Sequence, residues 1–161
     1  MKNIYVDSGV FLAMHSIDEK IRVTCKNFFV ANFSKQLFML LEDVGQCDAV
    51  IWKEERELQD AYYPFMDNLH TLMKIERVPY NKGALENIDE LRIIDSSFSI
   101  SDLLTLSHVK ASGAVLYTLG VSRLKIDSIC KALPEQEASE LSFEQQLERL
   151  YQESLKLRVG Q

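Results

Sequence analysis

Six glycines and three prolines in 161 residues are too few for a linker-rich, collagen-like or low-complexity chain. Cysteine is scarce as well. Cys25, Cys47 and Cys130 form an odd set at wide spacing with no Cys-x-x-Cys, which argues against a disulfide framework or a zinc knot and for reduced thiols in a cytoplasmic protein. The histidines, His15, His70 and His108, include no pair at helical metal-ligand spacing. No Gly-x-x-x-x-Gly-Lys or Gly-x-Gly-x-x-Gly occurs either, which disfavours P-loop and dinucleotide chemistry. The apolar opening MKNIYVDSGVFLAM is interrupted by Asp7 and stays well short of the ~18 residues of a membrane span; it also lacks the basic leader and cleavage site of a signal peptide. Basic residues are outnumbered, 18 against 24 acidic, for a formal charge of −6. Nucleic acid would therefore have to be held by a local basic patch or by bound cations.

What remains is ordinary globular material, 47% hydrophobic and 26% charged, at a length that suits one core. Residues 3–6 (NIYV) read as a short buried strand of the kind central to a parallel sheet, with Asp7 at its carboxyl end. Ser16-Ile17-Asp18-Glu19 reads as a capping box, and Ile17, Ile21, Cys25, Phe28 and Phe29 recur at helical spacing up to about Phe33. Residues 37–41 (LFMLL) form a second strand candidate, followed by Glu42, Asp43 and Gly45. From about Gln46, the stripe Ile51, Leu58, Tyr62, Phe65, Leu69 and Met73 predicts two successive helices, with Pro64 breaking the ladder and Trp52 in the core. Residues 78–101 are the least periodic and read as a surface connection with a short helix near 84–91. Ser101 then caps a helix, DLLTLSHVKAS, which Gly113 terminates before a strand at residues 114–118. Strand, helix and strand in repeated succession predict an α/β fold with a mainly parallel sheet. Residues 1–133 form its expected domain. Residues 134–161, with Leu147, Leu150, Tyr151 and Leu155 on one stripe, form a C-terminal helical extension.

Three carboxylates stand beside buried surface. Asp7 ends the first strand, Asp48 lies one turn before Ile51 and Trp52, and Asp102 lies one turn before Leu106. In a parallel sheet the carboxyl ends of the strands face one crevice, and helices that begin there present their first-turn side chains to it. Carboxylates brought together so repel one another unless a cation neutralises them, and hard oxygen ligands suit Mg2+ or Mn2+. Such a site orients water and stabilises charge on a phosphoryl group.

Asp7 in IYVDSGVFLA, Asp48 in QCDAVIW and Asp102 in ISDLLTLSHVKASGAVLYT together resemble the PIN domain, a family of metal-dependent ribonucleases that includes toxins of bacterial toxin-antitoxin pairs. The resemblance spans about residues 3–125 and is most specific in the last stretch. It implies a three-layer α/β/α fold and RNA cleavage with Mg2+ or Mn2+ held by the catalytic acids Asp7, Asp48 and Asp102. Ser8, Thr118, Lys53 and Arg123 are the implied substrate-binding residues. An antitoxin protein and a second copy of the chain are the implied partners, with no membrane. The middle stretch is the weakest, because the family usually has Glu there; Glu42 and Asp43 are the alternatives to Asp48.

One departure stands out. Where the family places a further acid or Asn two positions after the strand-ending Thr or Ser, Thr118-Leu119-Gly120 has none. The missing fourth acid leaves three readings: a one-metal enzyme, a site completed by Thr118 or Ser122, or a PIN-like binding or regulatory protein without catalysis. Lys20, Arg22, Lys26, Arg56, Lys110 and Lys125 are the other cations available for a phosphate track, although solvated charge is the plainer reading of each. Tyr62, Tyr63 and Phe65 fit core packing better than base stacking, and His108 reads as a hydrogen-bonded boundary residue.

Overall fold

A computed structural model of the chain describes residues 1–135 and 139–160. Five strands, β1 (Ile4–Val6), β2 (Leu37–Leu40), β3 (Glu76–Val78), β4 (Val115–Tyr117) and β5 (Cys130–Lys131), form one sheet in the order β3-β2-β1-β4-β5. Every pairing is parallel, with Tyr5 opposite Phe38 on one side and Leu116 on the other. β1 is central, and the strand order reverses direction there. Side chains alternate across the sheet. Val6, Leu37 and Met39 enter one core cluster, whereas Tyr5, Leu40 and Leu116 enter the other, as a sheet covered on both faces requires. The expected three-layer α/β/α architecture is the one observed.

The first layer holds α1 (Ser8–Leu12), α2 (Glu19–Ala31), α3 (Leu41–Ile51), α4 (Arg56–Leu72) and α8 (Gln145–Ser154). The second holds α5 (Ile88–Ile94) and α6 (Ile100–Ala111), with α7 (Val121–Leu124) bridging β4 to β5. Leu147 and Tyr151 of α8 are fully buried in the same cluster as Phe11 and Phe65. The C-terminal segment also joins the body through its backbone, where Val159 donates to the His15 carbonyl at 2.9 Å and accepts from Ile17 at 3.0 Å.

Several local expectations are corrected. α2 is capped by Asp18, whose Oδ1 accepts from the Ile21 amide at 3.1 Å; Ser16 lies upstream, fully buried, and Ile17 is 66% exposed. The reason is the bridge between Ser16 and Val159, which holds Ser16 outside the helix. Pro64 does not interrupt α4. It sits on the exposed side, where solvent can reach the carbonyl it leaves unpaired, while Tyr62, Phe65 and Leu69 pin the opposite face. The break between helices falls at residues 52–55 instead, and it leaves Trp52 69% exposed rather than in the core. Residues 78–101 open on the last residue of β3, an edge strand too short and too charged to stand out as a period-2 pattern, and include the 3-10 turn Lys82–Leu85, α5 and the start of α6. The α6 cap is Ser99, not Ser101. Gly113 does take a positive φ, of 63°, and closes α6 as its position implied.

Candidate active site

The carboxyl end of β1 delivers Asp7 directly into the N-cap of α1. Its Oδ1 accepts from the Val10 amide at 3.0 Å, so the local reason for an acid here is an unpaired helix N-terminus. β2 runs into α3 with no intervening loop, which makes Asp43 a first-turn residue, only 2% exposed. Asp43 Oδ1 accepts from the Ser8 amide at 3.0 Å and thereby ties α3 to α1. On the other side of β1, Asp102 closes a capping box with Ser99: its Oδ2 accepts from the Ser99 hydroxyl at 2.7 Å and the Ser99 amide at 3.1 Å. The remaining oxygens of Asp7 and Asp102 meet one side chain. Arg123 Nη1 donates to Asp7 Oδ2 at 3.0 Å, and Arg123 Nε donates to Asp102 Oδ1 at 2.8 Å.

A second tier closes the crevice. The Ser8 hydroxyl donates to Gln46 Oε1 at 2.7 Å, and Gln46 Nε2 donates to the Ser101 hydroxyl at 3.3 Å. Thr118, buried just after β4, accepts through its hydroxyl from the Gly120 amide at 2.9 Å. Glu42 is half-buried and accepts from the Tyr80 hydroxyl at 2.6 Å, which also meets the Thr105 hydroxyl of α6 at 3.1 Å. Asp48 lies further along α3, where its carboxylate accepts from the Tyr63 hydroxyl of α4 at 3.2 Å. Of the three acids expected to converge, Asp7 and Asp102 share a partner and Asp48 does not join them; Asp43 stands in its place. The physical reason is that α3 begins at Leu41, not near Gln46, so the first-turn rule that pointed to Asp48 selects Asp43. Lys53 is exposed and lies beyond the last residue of α3, which already runs about 12 Å from Asp43 to Ile51.

Comparison with known proteins adds a family and a fold. A family model covers residues 1–161. The chain belongs to DUF6190, a family of unknown function. No curated protein matches it. Among solved structures, the fold is similar to that of VapBC2 from Rickettsia felis, determined bound to a DNA fragment from their promoter, with a TM-score of 0.63 and 14% identity over 81% of this chain and 98% of that one. It is also similar to PAE2754 from Pyrobaculum aerophilum, with a TM-score of 0.53 and 14% identity over 80% of this chain and 83% of that one. These likenesses establish a PIN-like fold for this DUF6190 chain. No helix among the described residues is long and apolar enough to cross a membrane.

Burial pushes the Asp43 carboxyl up to about 6, and the neighbouring charge of Asp7 adds to the effect against the opposing pull of the Ser8 amide and Arg123. Asp102 is the opposite case. Burial works against its charge, yet the hydrogen bonds from Ser99 and Arg123 hold it below the ordinary carboxylate range. The donor set is therefore three carboxylates against one guanidinium, all oxygen and net negative. In kind and charge it fits a hard divalent cation. As arranged, however, Arg123 occupies the oxygens such an ion would use, and among the described residues no three His, Cys, Asp or Glu side chains lie close enough together to hold a metal.

The Asp43 shift sets a pH dependence. Its folded value lies above the unfolded one, so the stability it contributes is complete below about pH 4 and is lost as pH rises through about 6. Asp43→Asn keeps an oxygen for the Ser8 amide and removes the charge. In metal-free buffer it is expected to raise stability at pH 8 by at most about 3 kcal/mol and to leave stability unchanged below about pH 4, as read by urea unfolding. A variant destabilised at pH 8 would contradict the assignment.

The other cations have different occupations. Arg22 and Lys26 are buried and paired with Glu140 and Glu148, Lys110 pairs with Glu90, and Lys125 with Asp95. Sequence reasoning placed Arg123 among the phosphate contacts and missed its grip on two acids. It gave Gln46 and Ser101 no part in the site, reading them only as a helix start and a helix cap, and no sequence signal marks the hydrogen bond between them. For Asp43 a signal existed: an acid two residues into a helix that starts where a buried strand ends.

Proposed function

We propose that this chain is a PIN-like, metal-dependent ribonuclease, cytoplasmic and of the toxin type, whose acids are Asp7, Asp43 and Asp102. The observation that carries the reading is the gathering of Asp7 and Asp102 on Arg123, with Asp43 on the adjoining helix start, at the carboxyl edge of a parallel sheet beside the point where strand order reverses. Likeness to VapBC2 supports the toxin-type version and an antitoxin as partner. A second copy of the chain is the other candidate partner, and exposed Ile93, Ile94 and Ile100 provide apolar surface for either. Asp7, Asp43 and Asp102 would hold Mg2+ or Mn2+; when bound, the ion supplies a polarised phosphoryl oxygen and a more acidic water. Ser8 and Gln46 fix the crevice wall through their mutual hydrogen bond. Arg123, whose guanidinium lies beside Asp7 and Asp102, would meet a phosphate.

Cleavage of single-stranded RNA is expected to be slow, faster with Mn2+ than with Mg2+, and abolished by chelation, because manganese binds a given oxygen site more tightly and tolerates less regular geometry. Asp7→Asn should lower it by about a hundredfold or more without unfolding the chain, since Asn still caps α1. A specific observation favours a second reading, a non-catalytic PIN-like binding or regulatory protein: Arg123 already neutralises two of the acids, and no acid follows Thr118. Wild-type protein that cleaves RNA no faster than Asp7→Asn and takes up no Mn2+ in calorimetry, with or without an uncleavable RNA, would establish that second reading.

A further inference from the structure

Asp7 Oδ2 and Asp102 Oδ1, two of the oxygens a divalent ion would need, both face the positive charge of Arg123. Arg123, with a side chain only 12% exposed, closes both by ion pairs of 3.0 and 2.8 Å. Burial opposes its charge, but the Asp7 charge and the Asp102 hydrogen bond together keep it firmly protonated. The helix that carries it is short and lies at the surface. α7 spans only Val121–Leu124, none of its residues is buried, and Val121 is 78% exposed. Among the described residues the guanidinium hydrogen-bonds only to these two acids, and a competing anion can draw it away by a change of side-chain rotamer while Leu124 keeps α7 on the second core cluster.

We propose that Arg123 is an exchangeable counter-ion. In this arrangement it neutralises Asp7 and Asp102. When a phosphodiester enters, the guanidinium transfers to the phosphate oxygens, where bidentate pairing suits it, and the two carboxylates are released to a divalent cation. Metal and nucleic acid then bind as a pair, each raising the affinity for the other by the same factor. The inference rests on the metal-holding role proposed for the acids, and it makes weak binding of metal alone a property of the site.

Calorimetric titration with Mn2+, with and without an uncleavable 2′-O-methyl oligoribonucleotide, tests the exchange without relying on activity. Wild-type protein is expected to bind Mn2+ weakly, and about tenfold more tightly once the oligonucleotide is present. Arg123→Gln is expected to bind Mn2+ about tenfold more tightly than wild type from the outset, with little further gain from the oligonucleotide. Circular dichroism establishes whether Arg123→Gln folds; should it not, the wild-type pair of titrations decides alone. If the oligonucleotide leaves the wild-type Mn2+ affinity unchanged while Asp7→Asn abolishes binding, the exchange is overturned and the metal-dependent reading stands. Equal coupling in Arg123→Gln and wild type overturns it too, because some other cation then meets the phosphate. If neither protein binds Mn2+ under any condition, the metal-dependent reading itself falls and the exchange with it.

Discussion

A chain ending before Pro134 is expected to lose its cooperative unfolding transition. The removed segment supplies Phe143, Leu147, Tyr151 and Leu157, all buried and all part of the cluster built on Phe11, Phe29 and Phe65. Each such side chain contributes about 1.5–3 kcal/mol on burial, against a whole-domain stability of about 5–15 kcal/mol. Polar ties go with them. His15, fully buried, donates through Nε2 to the Ser154 hydroxyl at 2.7 Å, since that hydroxyl already donates to the Tyr151 carbonyl at 2.6 Å. Tyr151 donates in turn to the Met14 carbonyl at 2.7 Å. Thermal melting followed by circular dichroism, together with size-exclusion chromatography, reads the outcome. A truncated protein that stays monomeric with an unchanged melting temperature would show residues 134–161 to be an appendage rather than part of the core.

Lys26→Met is the second large effect. Lys26 is 1% exposed, and its Nζ donates to Glu140 at 2.8 Å and to Glu148 at 2.7 Å while lying 4.6 Å from the centre of the Tyr151 ring. Methionine fills the space of the aliphatic stem and removes the charge. Glu148 is then left without its Lys26 cation, and Glu140 keeps Arg22. Breaking a buried pair on one side costs about 3–5 kcal/mol; the lower end applies here because both carboxylates keep partial access to water. Adding Glu148→Gln to Lys26→Met should recover part of the loss, since the stranded charge disappears.

The pH dependence has a definite sign. Arg22, against the opposing effect of burial and with help from Lys26, holds Glu140 down at about 2. A carboxyl depressed in the folded state stabilises fully above its unfolded value, near 4.5, and loses that contribution as pH falls through about 2. The gap between wild type and Lys26→Met in urea denaturation should therefore be widest near about pH 7 and shrink at about pH 3. A gap independent of pH would assign the cost to packing alone.

Local pattern determined more of this molecule than its low count of turn residues suggests. The β1 run ending at Asp7, the Gly113 stop after α6, and the stripe from Tyr62 to Leu69 could each be read because their cause is local: a two-sided buried strand, a left-handed C′ position, a 3.6-residue period. The parallel α/β class followed from the order of such elements. Tertiary structure alone decided what lies between them. β3 and β5 are too short to show a period and exist because the sheet pairs with them. Arg22 and Lys26 looked like surface charge until residues 139–148 folded over them. The candidate site divides along the same line. Asp7 and Asp102 were legible as acids at a strand end and a helix start, whereas the middle acid depended on where α3 begins. That point is set by β2 running straight into the helix, with no turn residue to mark it. The clamp of Arg123 on two carboxylates from different elements was beyond any sequence pattern, because it joins residues 116 and 21 positions apart through a crevice that only the assembled sheet creates.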